Sequence, residues 1–524
     1  MRKLRIGVLD LVSKGPTKAL WARFMNANLA SIMPQIISVW CEQEGHDVQF
    51  VCYTGFEDLM QELPSDVDVM FVSAFSQTAQ LSYAISNLAR KNGAITILGG
   101  PHARCYPQDA QKYFDYVLGF TTKQMISDVL KDVAQHRPMG VHLHSDKQPE
   151  TLPGVQERWK YQEITLQKAP TIKIVPMLGS LGCPYTCSFC IDSTVDYQPL
   201  GFDQITSDLK FLLTKYKRPR VGWHDPNFGI RFDDYMDAIE AVGAGDRIDH
   251  IAETSLSLLG EPHLKRLQAN GFRAILPGVE SWYDMGNKSK SGKNKGEDKV
   301  KQVSEQVNMI LRYIPYIQAN FVLGLDSDEG DEPWELTKKF VDLSPGAFPG
   351  YSLLSAFGQA APLNLEYQKV GRVLPFPHHF LNNHHAMNVV PKNYSWTQMY
   401  DHVIDLAKYT FSWRAIARRF SALKQPIPKW MNVLRAVSSE GFGRIKYYGK
   451  IRELLDTDIP VRRFFEGESD VLPEFYVNRI KKDLGPFWDW LPEGSIMHDQ
   501  NAYLKSQAGS LVQMGMGAPA AAQA

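Results

Sequence analysis

Two successive series of short apolar strands, each alternating with helices, constrain the fold of this chain most strongly. The first series fills residues 1–135, and the second starts at residue 171 and ends near residue 360. Parallel strands need long crossover connections, which helices supply, and their sheets are covered by helices on both faces. The sequence therefore predicts an α/β protein with two separate parallel sheets.

The first series predicts a doubly wound, Rossmann-like domain over residues 1–135. Ligands of such sheets bind beyond the carboxyl ends of the strands. That rule selects the loops at 10–17, 73–78 and 99–106. The predicted strands lie at 4–11, 46–53, 67–75, 94–100 and 114–120, and the helices at about 29–45, 77–93 and 122–135.

The second series predicts a partial (β/α)6 barrel over residues 171–360. Catalytic groups of such barrels lie at the carboxyl ends of the strands. Helices are expected between the strands, for example at 203–216 and 299–314. The predicted strands lie at 171–178, 220–225, 250–255, 274–280, 317–325 and 350–357.

The remaining segments are less regular. Residues 136–170 are polar and contain four prolines, which predicts a linker crossing a surface. Residues 361–510 are rich in aromatic side chains and predict a mainly helical region that caps the barrel or binds substrate. Residues 511–524, ending in "GAPAAAQA", predict a disordered tail.

Charge and cysteine content narrow the classes of partner and compartment. Lys+Arg and Asp+Glu both number 57, so net charge does not favour a nucleic-acid partner, and none is expected. The sequence contains no uncharged apolar run of about 18 residues, so no membrane span is expected. Six cysteines in 524 residues are too few for a disulfide framework, so we expect the reducing cytoplasm.

Three of the six cysteines fall within "LGCPYTCSFC", in the loop after the first barrel strand. A structural zinc site needs four closed ligands, and the nearest later histidine is His224, on the next strand. A buried helical stripe would suit the spacing, but Gly182 and Pro184 favour a loop. An iron–sulfur cluster held by Cys183, Cys187 and Cys190 would keep one iron open for a substrate.

The C-x3-C-x2-C pattern, with Phe189 before the last cysteine and βα repeats after it, resembles the signature of the radical SAM superfamily. The resemblance covers about 171–360. It implies a [4Fe–4S] cluster on Cys183, Cys187 and Cys190, whose open iron binds S-adenosylmethionine (SAM). It further implies reductive cleavage of SAM to a 5′-deoxyadenosyl radical, and an electron donor of the flavodoxin or ferredoxin type.

The same resemblance implies SAM contacts at later strand ends, beside Phe189. "WHDPNFG" ends the second strand and offers Asp225 and Asn227, and "LPGVES" ends the fourth and offers Glu280 and Ser281. "FVLGLDSDEGD" resembles the Gly motif near the adenosine, and Glu253 is a weaker candidate. Taken alone, each segment also fits an ordinary polar turn at a strand end.

The glycine pair Gly99–Gly100 after strand four would let a ligand approach the backbone, or would only form a turn. An α/β domain followed by a linker and the cysteine motif resembles the cobalamin-binding class of radical SAM enzymes, and residues 97–120 resemble that class's signature. The resemblance implies a cobalamin site lined by Ser73, Gln77, Thr78, Gly99, Gly100, Pro101 and His102.

One departure concerns cobalt ligation. Related cobalamin domains carry a histidine in the loop after strand one, but "DLVSKGPTKAL" at 10–20 has none. A bound cobalamin would then lack a histidine ligand, and a domain that kept the fold but lost the cofactor stays open. Methylthiotransferases are excluded because Cys41, Cys52 and Cys105 lack the spacing of a second cluster.

Two C-terminal stretches stand apart. Residues 411–452 contain ten Lys/Arg and one acid, Glu440. Such helices would pack on the barrel with their basic stems snorkelling, or would contact an anionic membrane surface. "FPHHFLNNHH" at 376–385 would form a loop, line a substrate pocket or bind metal.

These features together predict a cobalamin-dependent radical SAM enzyme that methylates an unactivated carbon of a small-molecule or lipid substrate. Two alternatives stay open: a non-methylating oxidative cyclase or rearrangement enzyme, and a cobalamin- or metal-binding regulator without turnover. The substrate is not encoded in any recognisable motif.

Overall fold

A computed structural model of the chain describes residues 2–133, 138–283, 294–382, 384–502 and 504. Within these residues the chain forms two large parallel sheets, a two-stranded antiparallel sheet and a long helical C-terminal region. The predicted fold class is confirmed: a Rossmann-like α/β sheet, a partial barrel, and helices after it. The predicted tail at 511–524 lies outside the described residues.

The strands of the described residues are β1 (Arg5–Leu11), β2 (Asp47–Tyr53), β3 (Val69–Ala74), β4 (Ile95–Gly99), β5 (Tyr116–Leu118), β6 (Val141–Leu143), β7 (Val175–Met177), β8 (Ser180–Leu181), β9 (Gln198–Pro199), β10 (Arg220–Trp223), β11 (Asp249–Ala252), β12 (Phe272–Ile275), β13 (Gly278–Glu280), β14 (Tyr316–Leu323) and β15 (Phe348–Leu353).

The α-helices of the same residues are α1 (Leu20–Met25), α2 (Ile32–Gln43), α3 (Leu59–Glu62), α4 (Ala79–Lys91), α5 (Pro101–Cys105), α6 (Pro107–Ala110), α7 (Lys123–Val133), α8 (Trp159–Lys168), α9 (Phe202–Lys215), α10 (Phe232–Glu240), α11 (Glu261–Ala269), α12 (Gly296–Ile310), α13 (Glu332–Leu343), α14 (Pro362–Lys369), α15 (Trp396–Thr410), α16 (Trp413–Ala422), α17 (Pro426–Val437), α18 (Phe442–Thr457), α19 (Ile459–Phe465) and α20 (Glu474–Leu484). Short 3-10 turns lie at Asn26–Leu29, Ser76–Thr78, Gly245–Arg247, Leu256–Leu258, Gly358–Ala360, His378–Phe380 and Gly485–Trp490.

The first sheet has the strand order β2-β1-β3-β4-β5-β6, with every pairing parallel. The order reverses between β1 and β3, so the loops after these two strands diverge and open a crevice between them. Such a switch point is where doubly wound sheets bind ligands. The predicted loops 10–17 and 73–78 therefore flank this crevice.

Alternation along β1 gives the first sheet two buried faces. Ile6 and Val8 pack in a core with α2 and α7, whereas Leu9 and Leu11 join a second core. Successive side chains of a strand point to opposite faces, so a strand apolar on both sides must be covered twice. The second core continues into the barrel and the helical region, which ties the first sheet to the rest of the chain.

The predicted linker at 136–170 is wrong in part, because it contains two regular elements. Strand β6 pairs with β5 and makes the first sheet six-stranded instead of five-stranded. Helix α8 follows, and the buried Arg158 before it donates to Gln35 Oε1 at 2.7 Å. Residues 134–137, where the domain boundary was predicted, lie outside the described residues.

The second sheet forms an open barrel of parallel strands. Its order is β7-β10-β11-β12-β14-β15, which is chain order apart from the small antiparallel pair β8–β9 and the strand β13. The predicted strand 274–280 is interrupted at 276–277, so that its halves β12 and β13 both pair with β14. The six predicted strand positions are thus confirmed, and β7 and β15 form the open edges.

The C-terminal helices contact both sheets. Arg372 makes a bidentate ion pair with Asp326, after β14, through two contacts of 2.7 Å. At the other end, Asn87 of α4 donates to Trp490 O at 2.9 Å. Among the described residues no helix is both long enough and apolar enough to cross a bilayer.

Candidate active site between the two sheets

The loop after β7 carries the three clustered cysteines and is closed at its base. We call residues 182–197 the three-cysteine loop. Strands β8 and β9 pair antiparallel on either side of it. Gly182 has φ +65°, and a Cβ there would lie 2.2 Å from Asp196 O. Only glycine fits this close approach, and Cys183 N then donates to Val195 O at 3.3 Å.

Inside the loop, Cys183 and Cys187 are buried and Cys190 is partly exposed. Cys190 N donates to Cys187 O at 2.9 Å, and Asp192 N points at Cys190 Sγ from 3.4 Å. A backbone N–H directed at sulfur stabilises the charged thiolate, which is the form that ligates metals. The sequence-predicted ligands are therefore brought onto one short loop.

The fit of an iron–sulfur cluster can be judged from this donor set. Three thiols on one tight loop, at the carboxyl end of a barrel strand, suit three corners of a cubane cluster. The loop is not preformed as a metal site: no three Cys, His, Asp or Glu side chains of the described residues are gathered to hold an ion.

The N-terminal domain touches this loop through helix α5, which follows the glycine pair. Arg104 of α5 makes an ion pair with Asp192 at 3.1 Å and donates to Ile191 O at 2.8 Å. Sequence reasoning missed Arg104, because nothing local marks it as an interdomain contact. The only available signal was its place next to the predicted cobalamin loop.

A second set of contacts joins α5 to the last barrel strand. Tyr106, the residue after α5, donates from its hydroxyl to Ala356 O at 3.2 Å. A Cβ at Gly358 would lie 2.0 Å from Cys105 O, so the two backbones are in direct contact. The carboxyl-end loops of the barrel thus face the carboxyl-end loops of the first sheet, with α5 between them.

Asp225, a predicted SAM contact, is buried and holds the strand that leads into the three-cysteine loop. It accepts hydrogen bonds from Ser180 Oγ at 2.7 Å, from Gly179 N at 3.2 Å and from the Tyr235 hydroxyl. Burial raises the pKa of Asp225, and these hydrogen bonds oppose the shift. The carboxylate is thus committed to positioning residues 179 and 180.

Asn227, also predicted to contact SAM, joins the ends of two barrel strands. Its Nδ2 donates to Ser255 Oγ at 2.7 Å, and its Oδ1 accepts from Ser255 N at 2.9 Å. Phe228 N donates to Glu253 O at 2.8 Å, while the Glu253 side chain is exposed. The amide of Asn227 is therefore occupied by protein groups on the next strand.

Glu280 is the only residue other than glycine with positive φ among the described residues, at +64°. Such a conformation costs about 1–2 kcal/mol for a residue with a side chain. Its carboxylate folds back toward Gly278, where a Cβ would lie 2.0 Å from Glu280 Oε1. Backbone strain of this kind concentrates at functional sites.

Ser281 and Phe189 complete the predicted SAM set. Ser281 is buried, and its carbonyl accepts from Lys299 Nζ at 2.6 Å. Glu280 and Ser281 border a small cavity with Trp282 and Asp328. Burial raises the pKa of Asp328 to about 7. Phe189 lies half-buried on the three-cysteine loop, away from this cavity's lining.

The predicted cobalamin residues lie at the ends of β3 and β4, where the sheet was expected to bind a ligand. A Cβ at Gly99 would meet nothing within 4 Å, so space lies above this residue. Gly100 has φ +89°, and a Cβ there would lie 2.9 Å from Ala74 O. Pro101 then begins α5, and Ser73 is half-buried beside the turn. The backbone at Gly99 is therefore open to approach, and the turn at Gly100 requires glycine.

Thr78 and His102 lie deeper than the rest of this set. Thr78 Oγ1 donates to Phe75 O at 3.0 Å. His102 Nε2 is 2.6 Å from the Tyr83 hydroxyl, and its ring lies 4.7 Å from that of His378. Burial lowers the pKa of His102. In this structure both side chains are surrounded by protein. They could therefore affect a ligand only by holding the neighbouring residues in place.

The histidine-rich loop at 376–385 packs against the N-terminal domain. Asn382 Nδ2 donates to Gln77 Oε1, of the predicted cobalamin set, at 2.9 Å. Lys14, in the loop after β1, donates to His379 O at 2.8 Å, and burial lowers the pKa of Lys14 to about 8. Sequence reasoning missed Lys14, although it lies in a loop predicted to contact ligand.

Comparison with known proteins finds similarity to methyltransferases. No family model matches the chain. It is 23% identical over 380 residues to bacteriochlorophyllide d C-12(1)-methyltransferase of Chlorobaculum tepidum, covering 71% of this chain and 81% of that protein. It is 25% identical over 328 residues to hopanoid C-2 methylase of Rhodopseudomonas palustris, covering 59% and 58% respectively.

Among solved structures, the chain resembles the radical S-adenosylmethionine methyltransferase TsrM of Kitasatospora setae, determined with cobalamin and a [4Fe–4S] cluster bound. The TM-score is 0.54 at 14% identity, covering 86% of this chain and all of that one. A second TsrM structure, with tryptophan substrate and a SAM analogue, gives a TM-score of 0.52.

Proposed function

We propose that the chain is a cobalamin-dependent radical SAM enzyme, a C-methyltransferase acting on an unactivated carbon of a small-molecule or lipid substrate. One relationship carries the proposal. The three-cysteine loop and the Gly99–Gly100 turn lie at carboxyl strand ends that face each other, joined through Arg104. A methyl donor and a hydrogen-abstracting radical would both have to reach the substrate, and the space between this loop and this turn would let them do so.

Cys183, Cys187 and Cys190 would hold three irons of a [4Fe–4S] cluster and leave the fourth to SAM. When bound, the cluster and SAM supply a 5′-deoxyadenosyl radical, and cobalamin supplies the methyl group. The protein's part is to orient these groups and keep water away. Burial of Cys183 and Cys187 supports that role.

Two kinds of residue would serve SAM. Phe189, Glu280 and Ser281 are proposed to contact it, and the strained backbone of Glu280 supports this most. Asp225 and Asn227 are proposed to act through others, since their polar atoms already bond Ser180 and Ser255. They would hold the strand ends on which the SAM site is built.

Cobalamin is proposed to lie over the open turn at Gly99, Gly100 and Pro101, with its nucleotide tail near Ser73 and Gln77. Thr78 and His102 would support this surface from beneath. The loop at 10–20 has no histidine, so no histidine from it would ligate cobalt. The space above Gly99 supports a ligand here, although it does not name one.

We propose the domain division 1–135, 171–360 and 361–510 for cobalamin binding, radical chemistry and substrate capping. A flavodoxin or ferredoxin-type protein would supply the electron. The reducing cytoplasm is the proposed location, because six cysteines in 524 residues are too few for a disulfide framework. The names of the relatives point to hydrophobic pigment and hopanoid substrates, and the TsrM structure to tryptophan.

The test is turnover by anaerobically reconstituted protein with SAM, cobalamin and a reductant. Bacteriochlorophyllide d, a hopanoid and tryptophan are the first substrates to offer. We expect 5′-deoxyadenosine together with a product heavier by one CH2. A product without the added CH2 would identify a non-methylating radical enzyme, and no 5′-deoxyadenosine would identify a binding protein without turnover.

A further inference from the structure

Helices α16 and α17 present an unusual outer surface, which we call the α16–α17 face. It consists of Trp413, Arg414, Ala417, Arg418, Ser421, Lys424, Ile427, Lys429, Trp430 and Val437. Trp413, Ile427 and Trp430 are 68%, 66% and 64% exposed. Large apolar side chains this exposed, gathered on consecutive helices, mark a binding surface more often than chance.

Helix α17 buries polar residues and exposes apolar ones, the opposite of an ordinary surface helix. Its buried residues include the polar Asn432 and Arg435, whereas Ile427, Trp430 and Val437 face outward. The outward residues recur at spacings of three and seven, so they share one face of the helix. A helix in water normally buries this apolar stripe, and here no element of the described part of the chain covers it.

The buried polar residues explain why α17 cannot simply rotate. Arg435 donates to Gln318 Oε1 at 2.6 Å and to the Tyr316 hydroxyl. Both acceptors lie at the start of strand β14. Its guanidinium also lies 3.9 Å from the centre of the Phe348 ring. These contacts fix the inner side of α17 on the barrel, so Ile427 and Trp430 must point out.

Positive charge surrounds the exposed aromatic side chains. One carboxylate lies beside this positive charge: Asp342 pairs with Arg418, and Arg414 also helps to lower the pKa of Asp342. Lys429 lies 5.0 Å from the Phe420 ring, which in turn packs edge-on against Trp430. Tryptophan beside Lys or Arg is the composition found at the headgroup level of a bilayer.

A shallow depression on α16 could receive an anionic headgroup. It is lined by Pro345, Arg414, Ala417, Arg418 and Ser421. Ala417 and Ser421 continue the side of α16 that starts at Trp413, one turn apart each. A phosphate in this depression would be met by the guanidinium of Arg414, with the Asp342-paired guanidinium of Arg418 beside it, while Trp413 would reach the acyl boundary.

We propose that the α16–α17 face docks the protein on an anionic lipid bilayer. Interfacial helices bind by burying an apolar face and by attraction of Lys and Arg to acidic lipids, and this face has both features. The contact is peripheral, in keeping with the lack of a spanning helix among the described residues. This inference does not depend on the chemistry of the cysteine loop.

The test is co-sedimentation of the full chain with two kinds of vesicle, one of pure phosphatidylcholine and one with a quarter phosphatidylglycerol. We expect binding to the acidic vesicles that weakens as salt is raised. W413A/W430A should lower the partition coefficient at least about tenfold, and R414E/K424E should do the same through charge. The matched control is I459A/V471A, which removes two equally exposed apolar side chains outside the face.

Three results would overturn the proposal. One is failure of the native chain to bind acidic vesicles, and another is equal loss in the I459A/V471A control. The third is self-association of the chain that W413A/W430A abolishes while vesicle binding is absent. Light scattering on the same samples detects that third result. All four altered residues of the two tests are exposed, and circular dichroism verifies that the variants fold.

Discussion

Arg104 and Asp192 form a 3.1 Å ion pair that ties the helix after the glycine turn to the loop of three cysteines. The two residues are 88 positions apart and come from different sheets. Both side chains are mostly buried, so the pair is screened less than a surface contact. It links the glycine turn and the cysteine loop, the two halves of the proposed active site.

Arg104→Met should loosen this link without touching any proposed ligand. Losing a charge-assisted hydrogen bond costs about 1.5–3 kcal/mol, so we expect about a tenfold drop in methylated product per 5′-deoxyadenosine formed. Iron content should stay unchanged. Arg2→Met, which removes the exposed Arg2–Asp68 pair, is the matched control and should leave the product ratio unaltered. Equal ratios in native protein and Arg104→Met would contradict the role given to the pair.

Asp225→Asn should destabilise the strand end before the cysteine loop. The amide would direct a donor group at Gly179 N, Ser180 Oγ or the Tyr235 hydroxyl, all of which donate to the present carboxylate. We expect a loss of about 2–4 kcal/mol in the free energy of unfolding and lower iron retention. Tyr235→Phe removes one of these donors only and should show a smaller loss. Thermal unfolding and iron analysis measure both effects, and an unchanged midpoint in Asp225→Asn would refute this reading.

Glu280→Gly separates stability from function. Glycine adopts φ +64° freely, so the backbone strain of about 1–2 kcal/mol is relieved. The greater conformational entropy of glycine in the unfolded chain offsets part of this stabilisation. We expect equal or slightly higher thermal stability, together with at least tenfold weaker SAM binding by calorimetry. Glu305→Gly, at an exposed position within α12 without positive φ, should instead lower stability and leave SAM binding intact. Native SAM affinity in Glu280→Gly would remove Glu280 from the site.

Acid should unfold the protein partly through His378, which is buried and 3.1 Å from Asp109. Burial lowers its pKa to about 3, below the value near 6.5 in the unfolded chain. The unfolded state therefore binds more protons below pH 6.5, and stability that is complete above this pH falls as the pH drops. His378→Gln keeps a hydrogen-bond donor but cannot titrate. Between pH 7 and pH 5 its free energy of unfolding should therefore fall by about 2 kcal/mol less than that of the native protein. Parallel pH profiles of denaturant midpoints would disprove this assignment.

The sequence predicted most of the fold because periodicity is a local signal. Every predicted strand corresponds to an observed one. The elements that were missed are β6 and α8 inside the supposed linker, the short pair β8–β9, and the short helices α1, α3, α5 and α6. Strand β6 has three residues in a polar, proline-containing stretch, so its pairing with β5 is set by the sheet and not by its own pattern. The break of one predicted strand into β12 and β13 is likewise a tertiary effect.

The candidate site was predictable in place but not in detail. Strand-end rules located Asp225, Asn227 and the glycine turn, and the cysteine spacing located the loop. They could not say that Asn227 would be occupied by Ser255, or that His102 would bond Tyr83. Contacts such as Arg104–Asp192 and His378–Asp109 join residues far apart in the chain, and a single sequence holds no signal for them.

The most direct measurement is iron and sulfide analysis, with 5′-deoxyadenosine quantified after reduction, on anaerobically reconstituted native protein and its Cys187→Ala variant. The account predicts a four-iron cluster and SAM cleavage in the native protein. It predicts neither in Cys187→Ala, whereas Cys105→Ala, a buried cysteine outside the loop, should retain both. Stoichiometric zinc in place of iron, or SAM cleavage that survives Cys187→Ala, would contradict the account.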